Sequence, residues 1–145
     1  MDLDIITQKL ESLERCINRV ESTCPSSAKA LETDIDAQDI VTLNLLRAVQ
    51  QAVDICSHIL ASTNSPAPDT MGESFERMQK LGVLDDTLTL NLRKAVGFRN
   101  IAIHNYEAIN WEVVYSIVTE RLSDFVDFAR AIEGWIDGRA KGQDA

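Results

Sequence analysis

This sequence predicts an all-α fold, an up-and-down bundle of four longer helices and one short one. Three observations carry the expectation. Apolar residues recur at three- and four-residue steps along most of the chain, as in Leu3, Ile6, Leu10 and Leu13 near the start and Phe125, Ala129 and Ile132 near the end. No stretch alternates apolar and polar residues in the manner of a half-buried strand. The gaps between the apolar runs hold capping and turn residues, most clearly the run STNSPAPD at 62–69 with its two prolines.

The elements follow in order. Leu3, Ile6, Leu10, Leu13, Ile17 and Val20 form one stripe on a first helix over 3–22. Residues 22–36 are polar, contain Pro25 and read as a connector. A second helix runs from about Ala37 to Ser62. Its Ile40, Leu43, Leu46, Val49, Val53, Cys56 and Leu60 line one face, and Val41, Leu45, Ala48, Ala52, Ile55 and Ile59 widen it. A helix this apolar belongs at the centre of a bundle. Thr70 and Glu73 have capping-box spacing and Gly82 fits a C-terminal stop, which brackets a short third helix. Asp85 or Asp86 caps a fourth, carrying Leu88, Leu92, Ala95, Val96 and Ile103. Asn110 caps the last, with Val114, Ile117, Val118, Leu122, Phe125, Ala129, Ile132 and Ile136 at helical spacing and Gly138 as its stop. A single domain over 1–138 and a flexible tail over 139–145 are expected.

A chain of 145 residues with 45% apolar and 26% charged residues has globular proportions and can bury a core without disulfides or metals. Its three cysteines fit no zinc spacing. Cys16 and Cys56 fall in apolar stripes and read as core thiols, Cys24 as a free thiol in a loop, which implies a reducing compartment. The N-terminal MDLDIITQKLE lacks a signal pattern, and no run is long and apolar enough to cross a membrane, so a soluble cytoplasmic protein is expected. The net charge of −9 argues against nonspecific nucleic-acid binding. The charge is uneven, however. Between Leu88 and Tyr106 lie Arg93, Lys94 and Arg99 and no Asp or Glu.

That segment ends in RNIAIHNY, residues 99–106, where a chain with only two His and two Tyr places one of each beside an Arg and an Asn. On an unbroken helix Arg99 and His104, five residues apart, point about 140° away from each other. Asn100 and His104, four apart, share a face. A compact Arg–His site therefore needs either a local bend or a group from a second chain. The chemistry available is specific. Imidazole exchanges a proton near neutral pH, and guanidinium is a permanent cation whose fork matches phosphate oxygens. Together they suit cleavage of an RNA phosphodiester by its own 2′-hydroxyl, a reaction that needs proton transfer and stabilisation of a crowded, negatively charged phosphorus. It requires no metal and no other cofactor, and no carboxylate cluster suited to a metal is visible. Asn100 can orient His104 or the substrate. The same residues also have structural uses: His at a helix C-terminus answers the helix dipole, Arg is solvated, and Tyr covers a core edge. Elsewhere, His58 lacks partners at metal spacing. Asn44 and Arg47 on the apolar second helix either support a site or mark its exposed edge. Trp111 and Trp135 read as packing or interface residues, and Gly97 as a place of close helix approach, within the chain or across a dimer.

The run from Arg99 to Tyr106 resembles the Arg-x4-His-x-Tyr signature of HEPN-domain proteins, and more narrowly that of the HepT toxins of bacterial HepT–MntA toxin–antitoxin pairs. QDIVTLNLLRAVQQAVDICSHI and LRKAVGFRNIAIHNYEAIN are both similar to HepT segments, and the chain matches in length and helix order. The resemblance implies a HEPN-like helical homodimer with two motif copies facing across a cleft. It implies a metal-independent endoribonuclease acting on RNA, with Arg99 and His104 as the catalytic pair and Asn100 beside them. It further implies that Tyr106 accepts AMP from an MntA-like nucleotidyltransferase antitoxin, which neutralises the toxin. A reading from another class stays open at this point: a non-catalytic nucleotide- or protein-binding module regulated through that tyrosine.

Overall fold

The structure, a computed structural model, describes residues 1–144. It is built of seven α-helices: α1 (Leu3–Thr23), α2 (Ala28–Thr33), α3 (Ile35–Ala61), α4 (Met71–Lys80), α5 (Asp86–His104), α6 (Trp111–Glu120) and α7 (Leu122–Asp144). No strand occurs among the described residues. The all-α bundle expected above is the observed architecture, with α3 at its centre.

The reason α3 is central lies in its sequence. Thirteen of its residues, from Ala37 to Leu60, are buried, and they point around most of the helix. Helices α1, α2, α4, α5 and α7 pack against it. One contiguous apolar core results, running from Ile6 on α1 to Ile132 on α7. Phe75 of α4 and Phe128 of α7, both buried, meet edge to face within it, with ring centroids 6.0 Å apart.

The caps read from the sequence are in place. Asp85 accepts from the Leu88 N–H, Asn110 from the Glu112 N–H and Thr70 from the Glu73 N–H. Gly82 follows α4 at φ +81°, a left-handed turn that glycine adopts without strain.

Four boundaries differ from expectation. The connector at 22–36 contains α2, started by the Ser27 side chain and held down by the fully buried Leu31. Helix α3 begins at Ile35, capped by Asp34, and Gln38 ties it back by donating to the Leu31 and Glu32 carbonyls. The last helix is two helices, broken at Arg121, because α6 lies against α2 while α7 lies against α1 and α5. Two sets of neighbours impose two directions. Helix α7 also continues through Gly138 to Asp144, so that glycine does not stop it. Of the tail expected at 139–145, residue 145 lies outside the described residues.

Cys16 and Cys56 are core thiols as read; burial pushes both thiols up and keeps them protonated, and Cys24 is free and half-buried. Truncating the buried ring pair tests this core. Phe128→Ala is expected to destabilise the chain by about 3–5 kcal/mol, read as a lower urea midpoint.

Candidate active site

The motif occupies the last turns of α5 and the joint that follows. Residues 99–104 stay in regular helix up to His104, the final helical residue. Asn105 then leaves helical space (φ −153°, ψ 71°) while its N–H still donates to the Ile101 carbonyl at 2.8 Å. A 3-10 turn over Tyr106–Ala108 and the buried Ile109 carry the chain to the Asn110 cap of α6. The bend that the sequence allowed therefore exists, but it comes after His104 and not between the Arg and the His.

This placement sorts the four predicted residues. Arg99 is half-buried, and its Nη1 donates to Asn100 Oδ1 at 3.3 Å. Asn100 and exposed His104 stand one turn apart on a common face of α5. Arg99 and His104 remain about 140° apart around an unbroken helix. One chain thus brings Arg99 to Asn100 and stacks Asn100 above His104, but it does not bring guanidinium and imidazole together.

Tyr106 is swung off the α5 axis and fixed elsewhere. Its hydroxyl donates to Asp39 Oδ1 at 2.8 Å, across to the second turn of α3, and its ring edge meets Trp111 at a centroid distance of 6.0 Å. The phenol's pKa is raised above its ordinary value, first by burial and then by the hydrogen bond and charge of Asp39. The Thr42 hydroxyl is near enough to oppose this weakly, yet it is buried without an aligned hydrogen bond. Still, 41% of Tyr106 is exposed, so the group is held and reachable at once. Asp39 and Thr42 were not singled out from the sequence. They lie 67 and 64 residues from Tyr106, on a helix whose apolar pattern gave no reason to mark them.

The surface beside the motif is apolar. Ile101, Ile103 and Val113 are 52%, 47% and 49% exposed. A groove of about 420 Å³ runs between α5 and α6–α7, floored by Leu45, Phe98, Ile101, Ile117 and Phe125. Gly97 lies on its rim, and a Cβ there would meet nothing within 4 Å. No close approach within the described chain accounts for that glycine. His58 sits in the last turn of α3, at the opposite end from Asp39. Trp111 packs on Tyr106, while Trp135 lies under the Arg139 guanidinium at 4.8 Å. Among the described residues, no three His, Cys, Asp or Glu side chains are grouped to hold a metal ion. No helix among them is long and apolar enough to cross a membrane.

The profile of a family described as ribonuclease HepT-like matches residues 5–132, which takes in nearly all of α1, α2 to α6, about the first half of α7 and the whole motif. The chain belongs to the HepT-like ribonuclease family. It is 33% identical over 130 residues to the mRNA nuclease HepT of Shewanella oneidensis, covering 90% of this chain and 97% of that one. It is 28% identical over 100 residues to the tRNA nuclease HepT of Aphanizomenon flos-aquae, covering 68% of each. The solved structure of a tri-AMPylated HEPN toxin from Shewanella oneidensis, in complex with its MNT antitoxin, superposes with a TM-score of 0.85 at 33% identity, over 92% of this chain and 99% of that one. The helical fold of this HepT-like chain is thus that of its family, and the motif lies within the matched residues.

The hold of Asp39 on Tyr106 is directly measurable. In a Tyr115→Phe background, Asp39→Ala is expected to lower the Tyr106 titration midpoint, read by phenolate absorbance. Loss of the carboxylate removes two causes of the raised value. The midpoint stays above the ordinary phenol value because burial remains.

Proposed function

We propose that this HepT-like chain is the toxin of a bacterial toxin–antitoxin pair, a metal-independent endoribonuclease that works in the cytoplasm as a homodimer. The observation that carries the reading is the intact motif, held on an exposed helix end, in a chain similar over nine-tenths of its length to an mRNA nuclease.

The geometry asks for two copies. With α5 unbroken through His104, guanidinium and imidazole are brought to one phosphate when Arg99 comes from one chain and His104 from the other. The apolar groove beside the motif, with Ile101 and Val113 open to solvent, supplies a face for that pairing. In the cleft the RNA 2′-hydroxyl attacks the adjacent phosphorus. His104 handles the proton, taken from the 2′-oxygen or delivered to the 5′-oxygen as its bond to phosphorus breaks. Arg99 holds the non-bridging oxygens, where charge accumulates. Asn100, bonded to Arg99 and one turn from His104, is a positioning residue for both.

Tyr106 is the proposed acceptor of AMP, with a nucleotidyltransferase antitoxin as donor enzyme. The tri-AMPylated state of the Shewanella toxin is the precedent. The phenol oxygen bonds to the α-phosphorus of a nucleoside triphosphate, pyrophosphate leaves, and the phenol proton is released. The product loses the hydrogen bond to Asp39 and gains a phosphodiester charge beside that carboxylate. Bulk and negative charge then stand where an RNA phosphate must enter.

Arg99→Ala and His104→Ala are each expected to reduce RNA cleavage at least a hundredfold with helical circular dichroism unchanged, while EDTA leaves the wild type active. Tyr106→Phe is expected to cleave RNA and to resist AMP transfer. A folded His104→Ala chain that cuts RNA at the wild-type rate overturns the reading.

A further inference from the structure

A second groove, of about 610 Å³, lies between α1 and α3 and takes no part in the site above. Its lining includes Arg15 and Arg19 from α1, and Asn44, Arg47 and Gln51 from α3. Not one Asp or Glu lines it, in a chain with 23 acidic and 14 basic residues. Among the described residues the ion pairs are Lys9–Asp54, Glu73–Arg77 and Glu76–Arg93, so none of these three arginines has a carboxylate partner. Arg15 and Arg19 are also one turn apart on α1, a like-charge spacing that costs helix stability.

Two of the arginines converge. The charges of Arg47 and Arg15 both act on the Cys16 thiol at the groove floor, opposing the effect of its burial. The amides are underused as well. Gln51 Oε1 is buried without a hydrogen-bond partner, and Asn44 spends its Nδ2 on the Ile40 carbonyl at 2.8 Å. A concave surface with three unpaired guanidiniums and spare amide oxygens is matched to a ligand carrying several phosphates and some donors, such as a ribose-phosphate backbone.

Its location selects which one. Ile40, where α3 first enters the groove, directly follows Asp39, the residue that holds Tyr106. From Asp39 to Arg47 the helix rises only about 12 Å. The groove therefore begins within one turn of α3 from the Asp39–Tyr106 contact, on a neighbouring face about 100° around that helix, and leads away from it.

We propose that the α1–α3 groove is a binding track for single-stranded RNA, with Arg15, Arg19 and Arg47 gripping backbone phosphates on one side of the scissile bond. This rests on the ribonuclease reading and gives it a substrate path. It also reconciles an acidic protein with a polyanionic substrate: attraction is confined to a channel, and the rest of the surface repels.

The test uses the full chain with Arg15, Arg19 and Arg47 all changed to Gln, and Arg130→Gln on α7 as a control. In the His104→Ala background, binding of a fluorescently labelled single-stranded RNA is followed by anisotropy against salt. The triple variant is expected to bind at least tenfold more weakly, with the slope of log K against log salt reduced by about two. With His104 restored, KM for RNA rises while kcat is retained, and thermal unfolding is unchanged; Arg130→Gln alters none of these. An unchanged KM and salt slope in a chain that still cuts RNA overturns the track and leaves the ribonuclease reading standing. Loss of the antitoxin complex with RNA binding intact also overturns it, since the groove is then a protein-docking face. A wild-type chain that neither binds nor cuts RNA overturns both.

Discussion

Helix α3 is apolar around most of its circumference, and it folds only if other helices surround it. That requirement organises the molecule. Burying residues as far apart as Val41, Ala52 and Leu60 takes α1, α2, α4, α5 and α7 together. Once those helices are placed, the end of α5 has one position relative to the start of α3, and Tyr106 is brought within 2.8 Å of Asp39. The site is a by-product of the core's geometry, set where two helices that pack on each other leave their polar ends at the surface.

Much of this was legible in the sequence, for identifiable reasons. Caps and stops are local, so Thr70, Gly82, Asp85 and Asn110 announced their helices through chemistry contained in a few residues. The break at Arg121 was not announced, since neither Gly nor Pro occurs near it. It arises because α6 and α7 have different neighbours, which no short window records. Helix α2 went unread for a related reason. Six residues with a single buried leucine carry no periodicity, and they are held helical by the Ser27 cap, the tertiary burial of Leu31 and the Gln38 amide.

The site divides along the same line. Residue type and spacing drew attention to Arg99, Asn100, His104 and Tyr106 and showed that the first and third diverge on a straight helix, while their expected roles came from the family resemblance. Type and spacing could not say where the helix ends, and the structure places the bend after His104, outside the interval between the Arg and the His. Nor could they reveal Asp39, since a pair separated by 67 residues is joined only by packing. Asn44 and Arg47, which read equally as support or as exposed edge, turned out to face a groove with Arg15 and Arg19, a neighbourhood visible only once α1 and α3 are side by side.

The joint at Asn105 divides the motif between two mechanical bodies. Arg99, Asn100 and His104 ride on α5, whereas Tyr106 rides on a three-residue turn whose side chain is moored to α3. A covalent load placed on the phenol can pivot about that turn without rotating the helix that carries the other three. The architecture thus sets the proposed acceptor of AMP on one element and the proposed catalytic residues on another.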